Sequence, residues 1–274
     1  MLIHLGFDIR YRFTRPTPML VMLELRDERM PDVLRATPLQ AGPNVALQRY
    51  RDGFGNHCAR LLAPTGELRL HADAVIRDSG LPDPVVPHAR EVPVDALPDD
   101  VLVFLLASRY CETDLLMQQA WALFGDVAPG WNRVQAICDY VHARIRFGYP
   151  YADSRRGAAG ALQDGQGVCR DFAHSAIALC RCMNIPARYC SGYLGDIGVP
   201  RAPAPMDFSA WFEAFLDGNW YTFDARHNLP RIGRVPVARG RDAADAAIST
   251  TFGFNTLEKF EVWTDELDAN APVG

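Results

Sequence analysis

The most regular pattern of apolar and polar positions lies between residues 165 and 186. The stretch 164–167 is rich in turn formers. A helical spacing follows, with Phe172, Ala176, Leu179, Cys180 and Met183 at i, i+4, i+7, i+8 and i+11 on one stripe, and with Asn184 and Pro186 ending it. Two more helices are predicted upstream. One covers 114–124 with Gly125 as its stop, and the other covers 131–144 with Val134, Ile137, Cys138 and Val141 on one face. Residues 150–167 read as a loop leading into the helix that begins at Cys169. Strand periodicity takes over at 187–194 and again at 208–216, where Phe208, Ala210, Phe212, Ala214 and Leu216 face one way and Ser209, Trp211, Glu213 and Phe215 the other. Asp217-Gly218 is a two-residue hairpin signal, and 219–224 returns as the partner strand. Residues 1–75 read as β, with a buried strand over 19–25 and turns at 50–56 and 64–66. Pro82, Pro84, Pro87, Pro93 and Pro98 mark a stiff, extended linker. The expected architecture is α+β, with a small β-sandwich domain over 1–95 and a helix-and-sheet domain over 96–274.

That arrangement puts chemistry at Cys169. The first turn of a helix offers free backbone N–H groups and the positive end of the dipole, and both favour thiolate over thiol. The hairpin extends the picture. With Asp217-Gly218 as the loop, Leu216 sits opposite Asn219, Trp211 faces Asp224 and Ser209 faces Arg226. Ser209 and Asp224 then become diagonal neighbours on one sheet face, ~7–8 Å apart at Cα. A nucleophile from a helix start, with a base and a carboxylate from adjacent strands, is the layout of a Cys-His-Asp triad. Oxyanion stabilisation would come from the Cys169 backbone N–H and one further donor, for which Gln163 and Gln166 are candidates by proximity. Glu213 shares the Ser209 face and is read as structural or solvent-facing. Of the seven histidines, His174 lies about 140° round the helix from Cys169 and reads as packing. His227 faces away from Asp224 by strand parity. Arg226-His-Asn-Leu-Pro230 reads as a break in the strand, however, and there parity fails, so His227 is kept as a candidate substitute base.

Several motifs carry a resemblance. Gly167-Val-Cys-Arg-Asp-Phe-Ala-His174, Asn184-Ile-Pro-Ala-Arg-Tyr189, Ser191-Gly-Tyr193, Asp207-Phe-Ser-Ala-Trp-Phe-Glu213, Trp220-Tyr-Thr-Phe-Asp224, Arg239-Gly-Arg-Asp242 and Thr250-Thr-Phe-Gly253 follow one another over residues 100–260. Together they resemble the core of the bacterial transglutaminase-like cysteine proteases. The opening, with Asp52-Gly-Phe-Gly-Asn56, is similar to the N-terminal β domain of those proteins. The resemblance implies a papain-like, transglutaminase-like core and acyl transfer through a Cys169 thioester, with a peptide or protein amide as substrate. It also implies substrate-binding backbone in 150–167 and a supporting loop at Arg239, Arg241 and Asp242. In that family the residue after Asp-Phe is histidine; here it is Ser209. Imidazole titrates near ~6.5 and can both hold a thiolate and protonate a leaving amine, which a serine hydroxyl cannot do. The expected site is therefore Cys169 and Asp224 with the base position occupied by Ser209. Three readings follow: an amidase with an unorthodox base, a fold that binds a peptide or partner without turnover, and an ordinary enzyme altered at position 209.

Composition narrows the rest. A net charge of −5 with no basic run gives no support for nucleic acid or an anionic membrane surface. No apolar run reaches spanning length, and Met1-Leu-Ile-His-Leu-Gly6 lacks the basic start and long apolar core of a signal peptide. Seven cysteines, an odd count, read as reduced thiols of a cytoplasmic protein. Cys180, Cys182 and Cys190 lack a fourth ligand at zinc spacing, and no calcium loop motif occurs. Neither a metal nor another cofactor is expected.

Overall fold

A computed structural model describes residues 1–203 and 205–267 of the 274. The first half supplies β1 (Leu2–Phe13), β2 (Thr17–Val21), β3 (Val33–Gly42), β4 (Gln48–Arg51), β5 (His57–Ala63) and β6 (Gly66–Arg77). Then come α1 (Thr113–Phe124), α2 (Trp131–Arg144), β7 (Arg146–Phe147), α3 (Ala158–Asp164), β8 (Gln166–Gly167) and α4 (Cys169–Cys182). The chain ends its described part with β9 (Ala187–Tyr193), β10 (Ser209–Leu216), β11 (Asn219–Phe223), β12 (Val235–Gly240), β13 (Ser249–Thr251) and β14 (Asn255–Leu267). The fold is α+β, with a transglutaminase-like core.

Strict alternation builds the first strand: Ile3, Leu5, Phe7, Ile9, Tyr11 and Phe13 are all buried. β1 sits in a four-stranded antiparallel sheet of order β14-β1-β6-β3, and a second four-stranded sheet has order β13-β2-β5-β4. Their inner faces share one core with Tyr193, Phe208, Val235 and Val237 of the later domain. The expected division at 95/96 needs correction here. The last two strands, β13 and β14, return to pair with β2 and β1, so the N-terminal sheets are closed by the other end of the sequence. Gly6 makes the closure tight. A Cβ there would lie 2.5 Å from the Trp263 ring of β14 and 2.5 Å from the Ala72 carbonyl.

The second domain is organised round α4. A sheet of order β11-β10-β9-β12 covers one side, and α1, α2 and α3 pack on the others. The helix is therefore buried nearly all round, which the single stripe at 172, 176, 179, 180 and 183 understates. β10 behaves likewise. Its alternation is real, yet every residue from Ser209 to Leu216 is buried, because the first domain and a cluster of charges cover the face opposite α4. Residues 150–167 are not simply a loop. Ala158, Ala161 and Leu162 bury one side of the two-turn α3, and Gly165 closes it in the left-handed region at φ 62°. So short a helix carries too few apolar positions to reveal its period. The strand expected over 19–25 begins earlier and stops at Val21.

The proline-rich segment is not a free spacer. Asp83 N–H donates to the Arg231 carbonyl at 2.9 Å, Pro82 faces Ile232 in a bridge, and the Ala89 carbonyl accepts the Trp131 N–H at 2.9 Å. It is laid along the second domain.

If β13 and β14 are integral to the first domain, a fragment comprising residues 1–95 leaves β1 and β2 as open edges and will not fold. We expect collapsed amide dispersion in its NMR spectrum and no cooperative thermal transition. A dispersed, cooperative fragment would restore the boundary at 95/96.

Candidate active site

Val168 precedes Cys169 and has no side-chain oxygen to cap the helix. Asp171 supplies it instead: its Oδ2 reaches back to accept the Val168 N–H at 2.8 Å. A Cβ on Gly167 would fall 2.6 Å from that oxygen, which is why glycine stands there. Of the seven cysteines, six are buried and Cys169 alone is partly exposed. β10 runs against α4, and the backbone of its second residue, Ala210, is among the groups acting on the Cys169 sulfur. Burial pushes the Cys169 thiol up to about 11, against the pull of Arg226 and the Ala210 N–H, with Asp207 and Asp224 adding to the rise. The group is a thiol at neutral pH. Ser209, beside Ala210, is 6% exposed, and its Oγ has no hydrogen-bond partner.

The hairpin pairs as expected, Leu216 with Asn219 and Phe212 with Phe223. The ladder stops there, so the expected opposition of Ser209 to Arg226 is not formed. Instead the chain turns at Asp224, whose carbonyl accepts the Asn228 N–H at 2.7 Å. Its carboxylate then takes four donors. Oδ1 accepts the N–H groups of Arg226 and His227 at 3.0 and 3.1 Å, and Oδ2 accepts His227 Nδ1 and Arg234 Nη2, both at 2.8 Å. Parity fails at the strand break, and His227 lies on Asp224 rather than facing away. Burial would raise the Asp224 carboxyl, but Arg234 and His227 outweigh it and hold the group well below the usual carboxylate range.

A small cavity brings Ser209, His227, Arg226, Asp207 and Tyr149 together. Cys169 lies beside it, within electrostatic reach of Tyr149, Asp207 and Arg226. Arg226 stacks its guanidinium over Phe147 at 3.8 Å, and His142 on α2 bonds the Ala225 and Arg226 carbonyls from behind at 3.1 and 3.0 Å. Sequence reasoning missed Asp207 and Arg226 as parts of the site, and Arg234 as the partner of Asp224. The closeness of Asp207 to Ser209 and of Arg226 to His227 could have pointed to the first two, and nothing in the sequence pointed to Arg234.

The other candidates fall elsewhere. Gln163 sits exposed at the end of α3 and Gln166 pairs with Arg146 in β8, both outside the lining of this cavity. His174 is fully buried and stacked on Tyr110 at 5.0 Å, and its Nε2 accepts the Ala243 N–H at 3.1 Å. Burial, with Arg170 and Arg181 nearby, keeps it neutral. Glu213 is a buried ion-pair centre, bonded by Arg188 Nε at 2.5 Å and by Arg239 Nη2 at 2.8 Å. Arg241 pairs with Asp245 at 2.7 Å, and Asp242 accepts the Tyr110 N–H at 2.8 Å. Among the described residues no group of three His, Cys, Asp or Glu converges as a metal site would require.

Burial raises the Asp207 carboxyl to about 6, above its unfolded value, so ionised Asp207 disfavours the folded state. The penalty is fully present above pH 6 and fades as pH falls through 6 towards ~4. Asp207→Asn should therefore stabilise the chain by about 2–3 kcal/mol at pH 8 and by under about 1 kcal/mol at pH 4. Urea denaturation at both pH values checks this, and equal effects at the two would refute it.

The chain is similar to several known proteins. A family model for the transglutaminase-like superfamily matches residues 123–225. A solved structure from Cytophaga hutchinsonii, described as a candidate cysteine protease, is 31% identical and superposes with a TM-score of 0.84, covering 98% of this chain and 92% of its own. An uncharacterized protein of Mycobacterium leprae is 35% identical over 94 residues, so the match spans 32% of this chain and 32% of that relative. The periplasmic domain of TgpA from Pseudomonas aeruginosa aligns at 15% identity and a TM-score of 0.41, over 82% of this chain and 88% of that one. With nearly its whole length shared with the Cytophaga protein, and the Cys169 helix and the hairpin as far as Ala225 inside the matched region, the chain belongs to the transglutaminase-like superfamily.

Proposed function

We propose that the chain is a cysteine amidase or protease of this superfamily whose turnover, as the sequence stands, is impaired at proton transfer. Cys169 would attack the carbonyl carbon of a peptide or protein amide. The amine would leave as the thioester forms, and water or a second amine would then accept the acyl group. The leaving nitrogen needs a proton, and in this chemistry an imidazolium formed as the thiol ionises supplies it. One observation carries the reading: at the family's histidine position stands Ser209, which lines the cavity and whose buried hydroxyl has no partner, and burial pushes the Cys169 thiol up to about 11. The Ser209 hydroxyl cannot take that proton at neutral pH. A reducing compartment, the cytoplasm, suits seven unpaired thiols and belongs to the same proposal.

A second reading has its own support. His227 Nδ1 lies 2.8 Å from Asp224 Oδ2, which is the imidazole–carboxylate half of a triad, and both Ser209 and His227 line the same cavity. Here His227 would serve as the base after a movement of the 225–228 turn.

Iodoacetamide alkylation of Cys169 against pH separates the readings, with Cys169→Ala as background for the other thiols. We expect the rate in the chain as written to be still climbing at pH 10. In Ser209→His the inflection should fall below the free-cysteine value of ~8.5, and amide hydrolysis should appear. An inflection below ~8.5 in the chain as written, lost in His227→Gln, would select His227 instead. A Ser209→His variant that neither ionises the thiol nor hydrolyses amides would leave the fold as a peptide-binding or protein-binding module.

A further inference from the structure

We infer that Arg234 is a positioning residue for Asp224, and that Asp83 of the proline-rich segment clips it in place, so that this segment forms part of the site. The inference rests on Asp224 acting as the triad carboxylate. Arg234 is 9% exposed, lies over the Trp211 ring at 5.1 Å and is shared between two carboxylates. Its Nη2 donates to Asp224 Oδ2 at 2.8 Å and its Nε to Asp83 Oδ2 at 2.7 Å. Asp83 is itself fixed by backbone. Its Oδ2 accepts the Arg231 N–H and its own N–H donates to the Arg231 carbonyl, both at 2.9 Å. A planar guanidinium bonded through both Nε and Nη2 has its plane set by the two carboxylates, and Nη2 then points at the Asp224 oxygen that His227 also uses.

Charge explains why the clip matters. Asp224 is buried, and a buried carboxylate without a cation becomes neutral. The groups acting on it are His227 and Arg234 in contact, the N–H groups of residues 226 and 227, and Arg231, Cys138 and Cys169 at longer range. Of the side chains touching Asp224, Arg234 alone carries a charge at every working pH.

The test follows the Asp224 carboxyl carbon by NMR across pH and, in a Ser209→His background, separates kcat from KM. Arg234→Gln should move the Asp224 titration up by at least ~2 pH units, and should lower kcat at least tenfold while KM changes less than about twofold. Arg234→Lys keeps the charge but loses the rigid planar fork that fixes the donor's direction, so Asp224 should stay ionised while kcat still falls. Asp83→Asn should lower kcat severalfold and leave the Asp224 titration low. An unmoved Asp224 titration in Arg234→Gln overturns the inference, as does an unchanged kcat in both Arg234→Lys and Asp83→Asn. If Arg234→Gln fails to fold, those last two variants decide. If Ser209→His shows no turnover, the reading of the function has failed, and the Asp224 titration still decides whether Arg234 holds that carboxylate.

Discussion

A guanidinium buried without a carboxylate fixes the centre of the second domain. Arg181, near the end of α4, is 2% exposed. Its Nε and Nη2 donate to the Ala187 carbonyl at 3.1 and 2.8 Å, its Nη1 to the Leu106 carbonyl and Ser108 Oγ at 3.0 and 3.1 Å, and its Nη2 also to the Arg241 carbonyl at 2.6 Å. Removing a cation from water is costly unless every donor finds an acceptor, so a helix that carries Arg181 into the core fits only where three separate segments turn carbonyls towards it. Burial lowers its pKa, but a guanidinium stays charged. The far end of α4 is held as firmly by Asp171, bonded to the Val168 N–H and 3.6 Å from Arg156. With both ends fixed, the position of Cys169 against β10 leaves little freedom.

The burial that positions Cys169 also holds it as a thiol. Cys111 and Cys190 are pushed to about 12 and Cys182 to about 11 by the same loss of water, so a thiol at about 11 is not set apart by its ionisation. A helix N-terminus contributes ~0.3–1 kcal/mol, under one pKa unit. Burial outweighs the opposing Arg226 charge and Ala210 N–H and leaves the Cys169 thiol at about 11. The dipole loses that comparison, and the Arg226 cation is offset by the Asp207 carboxylate on the same cavity. A site of this kind needs a mobile positive charge against the sulfur, and helix geometry alone does not supply one.

Much of this was legible in the chain. α2 ran over the expected residues, the hairpin register was readable from Asp217-Gly218, and the break at Arg226-His-Asn was visible as a place where parity would fail. What stayed hidden had physical causes. β14 returns to β1 across more than two hundred residues, and no local pattern reports such a pairing. α3 is too short to show a period. The second face of β10 is buried by charge, because Glu213 is satisfied by Arg188 and Arg239, and an alternating strand with a glutamate on one face reads as half exposed. Arg234 and Asp83 are separated by 151 residues and joined by one hydrogen bond, so neither carried any signal of the site.

The saturation of Asp224 changes how its presence should be weighed. In a triad reduced by one member, the carboxylate that oriented the lost base should be left wanting a donor. Here it wants none: a carboxylate has about four lone-pair sites, and the turn N–H groups, His227 and Arg234 occupy all of them. Asp224 therefore has a complete structural task, closing the 224–228 turn and neutralising a buried guanidinium, whether or not acyl transfer takes place. Its occurrence at the end of the hairpin does not by itself argue for turnover. The Ser209 hydroxyl is buried without a partner, and Cys169 is the one partly exposed cysteine of the seven. A histidine placed at 209 would therefore have to displace one of those four donors to gain the carboxylate.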